Sequence, residues 1–161
     1  MSPPEPATPA GAAAGLILQH RWGALGTLGS DGPSVSHVAY APERDLGGLL
    51  MFLSGLSAHT RHLAAEPRAS LGISESDPGD IDPQTLVRVG IKGSVVAVPR
   101  DRPGFDPAWS VYRSRFPAAA RLLALADFGL YRLEIESVRY VGGFGRAATL
   151  RIEQLREALP G

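Results

Sequence analysis

Leu49-Leu-Met-Phe-Leu-Ser-Gly-Leu-Ser-Ala-His-Thr-Arg-His-Leu-Ala-Ala-Glu-Pro67 is the stretch on which the fold of this chain turns. The apolar run 49–53 predicts a buried strand. Ser54-Gly55 signals a turn, and Ser57 stands where an N-cap belongs, before a short helix that ends ahead of Pro67. A helix N-terminus presents free backbone N–H groups and the positive end of the helix dipole, which together attract anions. Ser57, His59, Thr60 and Arg61 add hydroxyls, an imidazole and a permanent cation to that turn. Local chemistry therefore supports two readings equally: a phosphate cradle, and an ordinary capped helix with a polar face.

Outward from this stretch the pattern is that of strands. Upstream, 22–28 alternates large and small residues, with Trp22, Leu25 and Leu28 as candidate core positions. The turn Gly29-Ser-Asp-Gly-Pro33 leads into 34–40, where Val35 lies opposite Ser34 and Ser36. Downstream, 68–74, 85–98 and 128–141 read as further strands. In the second of these Arg88, Gly90, Lys92 and Ser94 share a face, and Gly93 marks an irregularity. Helices are expected over 12–20, over 108–125 with a break at Pro117, and over 150–159. Residues 1–11, rich in Pro and Ala, are expected to form a disordered tail, and 12–161 a single domain. About six antiparallel strands with flanking helices make a mainly β, α+β chain, a small split barrel.

Several function classes drop out. Sixteen Lys+Arg balance sixteen Asp+Glu, so no net charge draws the chain to nucleic acid or an anionic membrane. The absence of cysteine excludes disulfides, thiolate metal sites and Cys nucleophiles. The N-terminus lacks a signal-peptide pattern and no apolar run spans a bilayer, so a cytoplasmic protein is expected. Gly142-Gly-Phe-Gly145 fails the dinucleotide-loop spacing and reads as a plain turn. His59 and His62 lack carboxylate partners at ligand spacing, so no metal site is expected. His20 and His37 read as structural. No nucleophile elbow or general acid–base pair stands out, as when a bound cofactor carries the chemistry, and no catalytic residue is assigned.

With these elements in order, the chain resembles the FMN-binding split barrels related to pyridoxamine 5′-phosphate oxidase, and within them the haem-utilisation (HugZ-type) branch. Four stretches carry the likeness: 32–40, 53–71, 115–123, and 127–133 with 141–147. The resemblance implies a homodimer with FMN in a groove between subunits. Ser54, Ser57, His59, Thr60 and Arg61 would surround the phosphate, with Ser36 and Lys92 on neighbouring strands. It implies an FMN-dependent oxidoreductase acting on a small molecule. The alternatives are a haem-binding or haem-degrading protein on the same barrel, and a non-enzymatic flavin-binding module. Ser57-Ala58-His59 replaces the Ser-Arg-Lys of the oxidases, which counts against vitamin B6 oxidation and removes two phosphate-binding cations.

Overall fold

The computed structural model describes residues 8–159. Helix α1 (Pro9–Gln19) begins where Thr8 accepts a hydrogen bond from the Gly11 amide and Pro9 needs no donor partner. It therefore starts three residues before the expected Ala12, and 9–11, assigned above to a tail, belong to it. Thr8 caps it, and residues 1–7 of that tail lie outside the described residues. Then come β1 (Trp22–Gly29), β2 (Gly32–Ala39), β3 (Ala41–Pro42), β4 (Gly48–Ser54), α2 (Ala58–Ala65), β5 (Arg68–Ser74), β6 (Val87–Val98), α3 (Phe105–Arg115), β7 (Phe128–Gly142), β8 (Ala147–Leu150) and α4 (Ile152–Glu157). The six expected strands are all present, joined by the short β3 and β8. The Gly142–Arg146 turn closes a β7–β8 hairpin, with Gly143 and Gly145 at positive φ. The segment after Pro117 is a 3-10 helix, Pro117–Ala124.

The sheet is antiparallel throughout, in the order β2-β1-β5-β6-β7-β4-β3, with β8 on β7. Its two ends, β2 and β3, are separated in the chain by Tyr40 alone, so the sheet has to curl back on itself. Tyr40 sits fully buried at that seam and donates a hydrogen bond to the Ile17 carbonyl of α1 at 2.9 Å. Burial pushes its phenol well above the usual tyrosine range, so it stays a neutral donor.

Strand β4 explains its unbroken apolar run by facing two cores. Leu49, Met51 and Leu53 point into the barrel with Leu25, Leu71, Ile91 and Leu133, where α1 contributes Ala13 and Ile17. Leu50 and Phe52 point outward, to α3. There Phe52 packs on Trp109 at 5.0 Å and on Phe128 at 5.3 Å between ring centroids. Each such buried side chain contributes about 1.5–3 kcal/mol. Arg115, at the end of α3, donates to the Leu18 and His20 carbonyls and so ties α3 to the C-terminus of α1.

Two expected core positions lie outside. Trp22 is 57% exposed and Leu28 46%, whereas Leu25 is fully buried. Strand side chains alternate with period two, so residues three apart take opposite faces. Gly93 does mark a register shift between β6 and β7.

Candidate functional site

The outer face of the barrel carries a groove of about 530 Å³, within the usual range for a ligand site. Its floor follows from register. Ala24 of β1 faces His37 of β2 and Gly72 of β5; Gly72 faces Gly90 of β6, which faces Arg139 of β7. One cross-strand row therefore runs from an imidazole to a guanidinium over three minimal side chains, across about 19 Å at ~4.8 Å per strand. No heavy atom lies within 4 Å of where a Cβ on Gly90 would stand, and for Gly72 the nearest is the Ala24 carbonyl oxygen at 3.8 Å. The groove is the space those missing side chains leave. At one wall Trp22 stacks on His37, rings 5.8 Å apart and 18° from parallel; at the other stand Arg88 and Arg139.

The Trp22–His37 stack also walls a second cavity, a cleft of about 310 Å³ reaching α2. Ser54, Ser57 and His59 line it beside Phe52, Tyr112 and Phe128, so three of the expected phosphate residues do converge. Ser57 is the N-cap residue of α2, yet its hydroxyl makes no capping bond. Ser54 donates to the Asp127 carboxylate at 2.7 Å and accepts from the Leu56 amide at 3.2 Å. Burial, and secondarily the charge of His62, hold His59 below the usual histidine range. Burial pushes the Tyr112 phenol up to about 12. No Arg or Lys lines the cleft, and Asp127 brings a negative charge beside it.

The other expected residues lie elsewhere. Thr60 and Arg61 line a separate cavity on another side of α2. Lys92 lines a fourth, with Ser70 and Arg68 on the outer sheet face. Ser36 pairs with Leu25, on the face of β2 opposite His37. Helical spacing accounts for His59, which lies about 100° around the helix from Thr60 and about 200° from Arg61; Ser57 is the N-cap with extended backbone, so helical spacing does not set its direction. Among the described residues no three His, Asp or Glu side chains come together as an ion site, and no helix is long and apolar enough to cross a membrane.

Trp22, His37, Gly72 and Arg139 escaped the sequence reading as site residues. The one signal for them was a histidine and a tryptophan on strands whose buried alternation runs through other positions.

The profile of the family described as CREG, beta-barrel matches residues 4–156. The chloroplastic non-canonical heme oxygenase HOZ of Arabidopsis thaliana is 34% identical over 116 residues, covering 71% of this chain and 33% of that protein. A heme binding protein from Mycobacterium smegmatis has a TM-score of 0.82 at 27% identity, over 95% of this chain and 62% of that one. This chain thus spans a third of the plant protein's length and under two thirds of the mycobacterial one. An FAD-binding protein from Mesorhizobium loti shares the fold at 20% identity and a TM-score of 0.62, over 77% of this chain and 87% of that one. Split barrels of the pyridoxamine 5′-phosphate oxidase type share it too. The chain belongs to the CREG β-barrel family, and its fold is the split barrel that the sequence resemblance implied.

Proposed function

We propose that the protein binds haem in the outer-face groove and serves in haem binding or breakdown. The observation that carries this reading is the row His37–Ala24–Gly72–Gly90–Arg139. A floor without side chains accepts a flat apolar ring. Arg88 and Arg139 suit carboxylate tails, because a guanidinium fork matches a carboxylate bidentately. His37 is the one imidazole in the lining. Bound haem supplies a redox-active iron; the chain's own residues bind it, orient it and shield one face from water. The Arabidopsis and Mycobacterium relatives support the choice of ligand. Exposed Trp22, Val35 and Val96 on the same face support the homodimer that the family resemblance implies. Haemin titrated into the purified chain is expected to give a saturable Soret band, and His37→Ala to shift or abolish it. A band that rises linearly without saturation would sink the proposal.

A flavoprotein oxidoreductase is the second reading, favoured by the convergence of Ser54, Ser57 and His59 on the α2 cleft. The ring would lie against Phe52 and Phe128, and the phosphate would meet the Ser57 hydroxyl and the helix end. With no permanent cation in the lining, the groups there able to become positive are His37 and His59, and His59 is the one on α2, next to the helix end. Its depressed pKa means the folded chain resists protonation, so His59 makes folding less favourable as pH falls through the ordinary histidine range and has no such effect above it. A bound phosphate draws that pKa back up. FMN affinity is therefore expected to rise as pH falls through the ordinary histidine range. His59→Gln should weaken that dependence in a fluorescence-quenching titration; a pH-independent affinity in the unsubstituted protein counts against the reading.

A further inference from the structure

His37 is the one imidazole in the lining of the groove, and its ring is held differently from those of two other histidines. The His20 Nδ1 lies 3.1 Å from the Leu16 carbonyl oxygen, and the His62 Nδ1 lies 3.0 Å from the Thr27 hydroxyl. His37 is exposed, and among the described residues no hydrogen bond holds either of its ring nitrogens. A histidine that binds a metal ordinarily has its second nitrogen fixed by such a bond, which sets the plane of the ring. Here the fixing contact is Trp22, whose ring lies 5.8 Å from that of His37 and 18° from parallel. Register explains why the two meet. Trp22 pairs with Ala39 and Ala24 with His37, so each ring stands opposite an alanine and finds the other ring across the diagonal. At 57% exposed, Trp22 adds little to the core, so stability alone does not account for a tryptophan here. Trp22 and His37 are also the two residues common to the linings of the groove and the cleft. An unsupported imidazole at that boundary can turn to either side.

We infer that Trp22 is a positioning residue: its indole holds the His37 imidazole in the plane in which it meets the iron of haem, and keeps it from turning toward the cleft. This role rests on haem being the ligand of the groove. The physical gain is preorganisation, since a ring already in place loses little rotamer freedom when the ligand arrives. An aromatic stack of this kind is worth about threefold to tenfold in affinity.

Titration of the full chain with haemin and with metal-free protoporphyrin IX tests it, in the wild type, Trp22→Phe and Trp22→Leu. Leucine keeps an apolar wall but cannot stack, whereas phenylalanine can. Trp22→Leu should weaken haemin binding by about threefold to tenfold and move the Soret maximum, and Trp22→Phe should restore both. Protoporphyrin IX has no iron for His37 to meet, so its affinity should be the same in all three. In proton NMR of the ligand-free wild type, the indole ring current should shift the His37 ring signals, and Trp22→Leu should return them to the usual histidine position. Wild-type haemin binding that does not saturate removes the haem reading itself, and this role with it. With haemin bound by the wild type, the inference alone is overturned if folded Trp22→Leu keeps both the affinity and the Soret maximum, or if the His37 signals are unshifted. Equal losses for haemin and protoporphyrin IX would overturn it by making Trp22 a direct contact. A loss that comes with a changed subunit count in sedimentation velocity would overturn it by making Trp22 an interface residue.

Discussion

Gly93→Ala is expected to cripple the fold. Gly93 sits at the register shift between β6 and β7, and its backbone approaches the Glu134 carbonyl so closely that an added Cβ would stand well inside van der Waals contact with that oxygen. The obstacle is backbone on a paired strand, which cannot rotate away as a side chain can. Relief requires moving β6 off β7, the two longest strands, at a point where Val95, Leu133 and Ile135 join the main core. A cost on the order of 3 kcal/mol or more follows, a large share of the about 5–15 kcal/mol that holds a domain together. Urea unfolding followed by far-UV circular dichroism should give a greatly lowered midpoint, or no soluble protein. A wild-type midpoint would show that the bulge tolerates a side chain.

Gly90→Leu is expected to do the reverse: to spare the fold and abolish the ligand site. Gly90 lies three residues earlier in the same strand, but its missing side chain opens onto empty space rather than onto backbone. A Cβ there has no heavy atom within 4 Å, and replacing a strand glycine generally strengthens the strand. It does fill the floor of the groove between His37 and Arg139. Haemin affinity should fall on the order of a hundredfold, about 2.7 kcal/mol, with the urea midpoint unchanged or raised. Undiminished haemin binding by the folded variant would place haem elsewhere on the barrel. The two glycines thus separate what the fold needs from what the ligand needs.

The fold was largely legible in the sequence because its signals are local. Period-two alternation over 34–40 and 128–141, the dense turn at 29–33 and the capped stretch after Ser54 all depend on neighbours within a few residues. The expectations that failed also failed for a local reason. Reading Trp22, Leu25 and Leu28 together applied a spacing of three to a strand, and parity sent Trp22 and Leu28 to the outside. At the N-terminus, Thr8 and Pro9 formed a helix start that the Pro/Ala-rich composition concealed.

The residues expected around a phosphate were brought together in part. Ser54, Ser57 and His59 share a cleft, as the turn before α2 suggested. Thr60 and Arg61 face another cavity, carried away from His59 because a helix turns about 100° per residue, and Lys92 belongs to yet another. Asp127, which holds the Ser54 hydroxyl, is 73 residues away in sequence and came into view through the fold alone.

By itself, then, the sequence determined an antiparallel, mainly β chain of the split-barrel kind, a helix start with hydroxyls at positions 54 and 57, and the special status of Gly93. These rest on alternation, capping and turn chemistry, which act between residues close along the chain. Only the tertiary structure decided which face of each strand is buried, and that His37, Ala24, Gly72, Gly90 and Arg139 form one row. Such a row exists through the pairing register of five strands, a property of hydrogen bonds between residues far apart in sequence that no local pattern encodes.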